Sequence, residues 1–494
     1  MGMSWTDAQR RVIELRDKNI LVSAAAGSGK TAVLVERIIQ KILDKTNPTD
    51  IDRFLIVTFT NAAAGEMRER ISDAIERELD NNPSDENLIR QSVLVHKASI
   101  CTIDSFCLGI VKNEFNKIDI DPGFRLANNE EKKMIETDVL DEVLRDSYEN
   151  ADEDFLYMVE CLTPGRSDDK LKQYIMDLYD SAMSQPWPKK WINGEAQAFY
   201  NVKSLDDMLK SPWVYMYKKL IKSSISETLA LEEKCVRLAE NPGLEFLRKQ
   251  AEEEYIGIKD IYDTEDIESL RKKVFGFKYA ILTRHKKSDG DLDEDIHNLY
   301  KATRDKAKKI LNDLQKKVNT TDFTGNFRMI KENARIIHAL CDVTIKFMDA
   351  LTEEKKRRGV FDFSDIEHYT LDIFVDEKTG ALTETAMEYA KNYDEIMIDE
   401  YQDSNMLQEY ILNAVSGATE GMKHMFMVGD VKQSIYRFRQ ARPELFVEKY
   451  DSFSENEGDN IKIELDKNFR SRKTVVDFAN GVFEIIMKRD IGNI

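Results

Sequence analysis

The chain has 494 residues, 42% hydrophobic and 33% charged, with 9 Pro, 21 Gly and a formal net charge of −19. Such a length exceeds one compact domain and allows about two to four, and the balance favours long surface-charged helices over an all-β or disordered chain. The acidity excludes a protein that wraps nucleic acid with a basic surface, because phosphate neutralisation needs clustered Lys and Arg; any DNA site has to be a local groove gripping by stacking and hydroxyl contacts.

No apolar run approaches the roughly 20 residues of a membrane span, and Met1–Arg10 has no signal-peptide core, so a soluble, cytoplasmic protein without membrane contact is expected. Cys101, Cys107, Cys161, Cys235 and Cys341 are scattered without a CxxC pair and read as reduced core thiols, not as a disulfide framework or a zinc or iron–sulfur site.

In chain order, Asn19–Ser23 is a short apolar run that feeds a glycine-rich turn, and Lys30–Leu43 then has helical spacing of Val33, Leu34, Ile38, Ile39 and Ile42. The pattern repeats with a strand over Phe54–Thr58 and a helix over Ala62–Leu79, then with Ile100–Thr102 leading into a helix from Ser105. Alternating strand and helix predicts a parallel sheet. From about Arg125 to about Val360 the chain turns to long, charge-rich helical stretches such as Glu130–Tyr148 and Ile225–Glu240. The acidic run Asp289–Asp295 has the look of a calcium loop but lacks glycine at its sixth position and has Tyr300 where a bidentate Glu belongs, so it reads as a solvated loop. Strands return at Ile396–Ile398, Met425–Val428 and Ile461–Leu465, the last followed by a helix from Lys473.

The segment Ala24-Ala25-Ala26-Gly27-Ser28-Gly29-Lys30-Thr31 matches the phosphate-binding loop pattern except at its first glycine, replaced by Ala24. Loop N–H groups and the helix N-terminus cradle phosphates, Lys30 reaches the β- and γ-phosphates, and Thr31 ligates magnesium. Such an ATPase also needs an acidic pair at the end of a neighbouring strand. Asp399 and Glu400 supply it after Ile396–Ile398, the first to hold Mg2+ through water and the second to orient and deprotonate the attacking water.

Asp399-Glu-Tyr-Gln-Asp403 resembles the DExQD box of the UvrD-like superfamily 1 DNA helicases, where alanine at the first loop position is usual. Other segments are similar in the expected order: Thr6–Gln9 resembles the Q motif, Thr58–Ala62 motif Ia, Thr102–Cys107 motif Ib, Gly429–Arg439 motif III and Asn468–Ser471 motif IV. The resemblance narrows to the AddA branch of bacterial helicase-nucleases at Ile118–Arg125, Phe361–Asp365 and Lys432–Pro443, and is weakest across the helical stretch. Ala32 and Asp104 depart from it, standing where many relatives have arginine and histidine.

The resemblance implies an α/β fold: a P-loop NTPase, RecA-like parallel sheet with a large all-helical insertion and the start of a second RecA-like domain. It divides the chain into a first motor domain over 1–124 and 361–460, the insertion over 125–360, and the opening of the second motor domain over 461–494. Gln9 would bind adenine, Gln433 would sense the γ-phosphate, and Phe469 and Arg470, from the second domain, would supply an adenine stack and an arginine finger across an interdomain cleft. Phe59, Tyr436 and Phe438 would stack on DNA bases, with Thr60, Asn61, Thr102, Ser105 and Arg439 on the backbone. The implied activity is ATP- and Mg2+-dependent 3′–5′ unwinding, with exonuclease action on duplex ends beside an AddB-type partner in recombinational break repair. Motifs V and VI and the nuclease domain are not in the sequence, which implies a piece of a longer chain. A monomeric repair helicase, or a fragment that binds ATP and single-stranded DNA without turnover, are the alternatives.

Overall fold

A computed structural model describes residues 5–163, 165, 167–286, 291–318, 322–437 and 440–486. Eight strands occur among them, β1 (Asn19–Ala24), β2 (Phe54–Thr58), β3 (Ser99–Thr102), β4 (Arg125–Leu126), β5 (Val360–Phe361), β6 (Glu395–Ile398), β7 (Met425–Gly429) and β8 (Asn460–Leu465). Six of them form one wholly parallel sheet in the order β3-β2-β6-β7-β1-β8. Helices cover both faces, so the strands are apolar on both: Leu21, Leu55, Val57, Ile396 and Met427 enter one core, while Ile20, Val22, Ile56, Met397 and Phe426 enter the other.

Local chemistry sets the helix starts. Thr60 and Thr102 cap the helices Asn61–Asn81 and Ile103–Glu114 by accepting from Ala63 N and Ser105 N. Beneath the sheet the fully buried Arg37 binds Glu395 at 2.8 Å and the carbonyls of Val12 and Leu15 at 2.6 and 2.7 Å, pinning two helices to the start of β6. Burial pushes the Glu395 carboxyl up, but the Arg37 and Lys41 cations outweigh it and hold the group below its ordinary range.

Contacts divide the chain into two compact units. The first contains the sheet and comprises residues 1–151, 162–193 and 340–494; the second is helical and comprises 152–161 and 194–339. The insertion boundaries expected at 125 and 360 are therefore corrected inward. Helix Asn129–Glu149 belongs to the sheet unit, where Lys132 binds Asp362 at 3.1 Å, and Tyr179 packs edge-on against Phe347 at 5.3 Å. The two-residue strands β4 and β5, paired in parallel through Arg125–Val360 and Leu126–Phe361, were not expected.

Two further expectations change. Strand β8 hydrogen-bonds along the whole of β1, so Ile461–Leu465 completes the first sheet instead of opening a second domain. β7 stands between β6 and β1, so the acidic pair does not follow a strand adjacent to that of the phosphate loop. Cys107, Cys235 and Cys341 are buried as expected, whereas Cys161 is exposed. Of the acidic run, residues 289 and 290 lie outside the described residues; Asp293 caps helix Glu294–Lys317, and Tyr300 is buried in the helical core.

Candidate nucleotide and DNA site

The phosphate loop leaves β1 and turns back through Gly27 and Gly29, both in the left-handed region at φ +74° and +87°. A side chain at Gly27 would be strained there, and its Cβ would meet Arg470 Cβ at 2.8 Å. Ala24 is buried at the strand end, Ala25 and Ala26 form the turn, and Ser28 is 1% exposed. Lys30 and Thr31 open the helix Lys30–Ile42, whose N-cap is Gly29 and has no side chain to occupy the first N–H groups.

The acidic pair faces this loop. Lys30 Nζ lies 3.4 Å from Glu400 Oε2, so the intervening strand does not keep the two motifs apart. Glu400 itself has φ +55° and ψ 46°, a left-handed conformation that costs a non-glycine residue about 1–3 kcal/mol and is typical of sites where a side chain has to be aimed. Asp399 is pushed up to about 6, first by burial and then by the adjoining Glu400 carboxylate.

Motif IV packs on the loop. Asn468 Nδ2 donates to Ala26 O at 2.7 Å and Phe469 N donates to Gly27 O at 2.8 Å, while the side chain of Phe469 is exposed. Phe469 and Arg470 thus fall in the same compact unit as the loop. Gln9 is held against the loop: Nε2 donates to Ser28 O at 3.0 Å and Oε1 accepts from Thr6 N at 3.0 Å, which leaves the amide a second N–H.

Of the residues expected on the DNA side, Phe59 and Tyr436 come together with ring centroids 4.5 Å apart and planes tilted by 32°. Thr60 and Asn61 lie exposed at the start of their helix, and Thr102 Oγ1 shares a 3.0 Å hydrogen bond with Ser105 Oγ. Phe438 and Arg439 lie outside the described residues.

A model of the UvrD/REP helicase N-terminal domain matches residues 5–454. The chain belongs to the UvrD/REP helicase family. It is 41% identical over 99% of its length to a subunit of the ATP-dependent helicase/nuclease of Clostridium beijerinckii, of which it covers 40%. Against the corresponding helicase/nuclease subunits of Lachnoclostridium phytofermentans and Clostridioides difficile it is 42% and 41% identical over 99%, covering 36% and 39% of them. The chain spans about two fifths of the length of these relatives.

In this UvrD/REP helicase chain, two positioning residues lie inside recognisable motifs yet had no role that the sequence revealed. Gln402, 1% exposed, donates from Nε2 to Glu400 Oε2 at 2.8 Å and accepts at Oε1 from Asp430 N at 3.0 Å. Gly429 makes room for it, since a Cβ there would stand 2.3 Å from Gln402 Oε1. Asp430 Oδ2 in turn accepts from Gln433 Nε2 at 2.8 Å. Lys30, Glu400, Gln402, Asp430 and Gln433 therefore form one chain of polar contacts across the strand ends, and Tyr436 lies three residues beyond it. The signal available in the sequence was the polar character of Asp430 directly after β7 and of Gln402 four positions after β6.

The donor set suits a nucleoside triphosphate with magnesium. Ser28 Oγ is buried without a hydrogen-bond partner in the middle of the loop. Asp399 and Glu400 crowd two carboxyls beside a single ammonium, an arrangement that a divalent cation relieves.

No helix among the described residues is long and apolar enough to cross a membrane.

Proposed function

We propose that this chain is the motor part of an ATP-driven DNA helicase that moves 3′ to 5′ along single-stranded DNA. In the longer protein it would act on duplex DNA ends, with an AddB-type partner and a nuclease activity, in double-strand break repair by homologous recombination. The observation that carries the reading is the polar chain from Lys30 through Glu400, Gln402 and Asp430 to Gln433, which starts at the phosphate loop and ends three positions before Tyr436 of the Phe59–Tyr436 stack. The relatives' description as subunits of a helicase/nuclease supports the nuclease and the partner.

In this reading Lys30 binds the β- and γ-phosphate oxygens, Glu400 orients and deprotonates the attacking water, and Arg470 stabilises charge developing on the transferred phosphoryl. Thr31 and Asp399 hold Mg2+, which neutralises phosphate charge when bound. Gln9 and Phe469 bind the adenine, and Gln433 registers the γ-phosphate and passes its presence to the stacking pair. Stacking suits a motor because every base has a π-face, so grip does not depend on sequence.

Steady-state ATP hydrolysis with and without single-stranded DNA tests the proposal. Expected is DNA-stimulated turnover that falls at least about 100-fold in Lys30→Ala and in Glu400→Gln. Nucleotide and DNA binding without turnover would instead make these residues a nucleotide-gated binding module. Unwinding by a full-length protein without nuclease carboxylates would point to a monomeric repair helicase.

A further inference from the structure

Strand β8 ends level with the start of the phosphate loop: Leu465 is in register with Ala24, and Leu465 O accepts from Ala25 N at 3.1 Å. Three residues later Asn468 uses both ends of its side-chain amide. Its Oδ1 accepts from Arg470 N at 2.9 Å and from Ser471 N at 2.8 Å, while its Nδ2 donates to Ala26 O at 2.7 Å.

The acceptor end alone would make an ordinary turn, in which an Asn side chain bonds N–H groups two and three positions ahead. The donor end does something else, because it reaches 442 positions back along the chain and ties that turn to the loop. Phe469 N donates to Gly27 O beside it, so two consecutive loop carbonyls are engaged. Neither bond draws on the loop N–H groups, which are the ones that would cradle phosphate. Gly27 admits this approach. A Cβ there would meet Arg470 Cβ at 2.8 Å and both polar atoms of the Asn468 amide at 3.0 Å, so the three atoms it would crowd all belong to the segment 468–470. The root of Arg470 therefore stands against the loop, and its exposed side chain takes its direction from that backbone.

We propose that Asn468 is a positioning residue for ATP hydrolysis: it staples the backbone of Arg470 to the phosphate loop and so presents the guanidinium to the transferred phosphoryl. Asn468 acts through Arg470 and not on the nucleotide. The staple rests on the reading above, in which Arg470 stabilises phosphoryl charge.

Asn468→Ser is the decisive variant, because a serine hydroxyl still accepts from N–H groups two or three positions ahead but is too short to reach Ala26. DNA-stimulated kcat is expected to fall about 30-fold with the KM for ATP unchanged, as for a misplaced catalytic group. Arg470→Ala should itself lose about 1,000-fold, and adding Asn468→Ser to it should cost nothing further, since the two act as a unit. Amide hydrogen exchange supplies a readout independent of turnover: the Phe469 N–H should exchange at least about tenfold faster in Asn468→Ser. Undiminished kcat, a loss that multiplies with that of Arg470→Ala, a matching rise in KM, or unchanged exchange at Phe469 would each overturn the staple. Undiminished turnover in Arg470→Ala, or a chain that binds ATP without turning it over, would instead overturn the reading on which the staple rests, with the faster exchange at Phe469 still marking the contact itself.

Discussion

The sheet unit and the helical unit both bury charge, but they dispose of it differently. In the helical unit Arg304 grips Glu254 through two bonds of 2.7 and 2.5 Å and donates to Ala280 O at 2.7 Å, and Tyr279 OH donates to Glu232 at 2.6 Å. With Gln250 and Gln315 these groups tie the non-helical segment 277–286 to the surrounding helices. Arg304 and Glu254 are 5% and 6% exposed at their side chains, so the network closes on itself. In the sheet unit the corresponding chain passes through Glu400, whose side chain is 37% exposed beside the phosphate loop. Closed networks organise a fold; a network that includes an accessible carboxylate at a strained backbone position can act on something else.

The sharpest way to break this contrast is to remove one partner from the closed network. Arg304→Ala leaves Glu254 buried without its cation and should cost the helical unit about 3–5 kcal/mol. Amide hydrogen exchange in helices Pro212–Leu238 and Glu294–Lys317 would report it, with ATP turnover in the sheet unit as the comparison. The double variant Arg304→Met, Glu254→Leu should restore protection, since apolar replacement of a buried pair is often neutral. If Arg304→Ala lowers DNA-stimulated turnover without loosening those helices, the network is functional and the contrast fails.

The open network has the next largest effect. Gln402→Leu keeps the bulk of a buried side chain but removes both the donor to Glu400 and the acceptor for Asp430 N. If Glu400 activates water as proposed, misaiming it costs on the order of 100-fold in turnover, while nucleotide affinity, assigned in that proposal to the loop and Lys30, should change little. Turnover and nucleotide affinity measured together on this variant separate aiming from binding; a drop in affinity alone would mean that Gln402 only supports the loop.

What was legible in the sequence follows the same division. The strands β1, β2, β6 and β7 could be read because a parallel sheet covered on both faces demands continuous apolar runs, and Thr60 and Thr102 announce the helices that follow. The phosphate loop and acidic box are local, so their residue patterns were legible too. Strand order was not: nothing in Ile396–Ile398 says that β7 separates it from β1, and nothing in Ile461–Leu465 says that it pairs with β1. β4 and β5 are two residues each and too short for any periodicity. Gln402 acquires its role from Asp430, which lies 28 positions away along the chain, and no spacing rule reaches that far.

The smallest effect distinguishes the two units by their acids. Glu232 in the helical unit is pushed up to about 7, mainly by burial, with the Tyr279 hydroxyl partly opposing the shift by donating to the carboxylate. Its folded value exceeds that of the unfolded chain, so the folded state binds the extra proton between the two. The stability contributed by the neutral acid is therefore complete below about pH 4 and is lost as pH rises through 7. Between pH 6 and pH 8 the helical unit should lose about 1 kcal/mol of stability from this group. Glu232→Gln should abolish that slope in the exchange of helix Pro212–Leu238 and leave DNA-stimulated ATP turnover in the sheet unit unchanged. If the substitution also changed turnover, the buried charges of the two units could no longer be treated as separate systems.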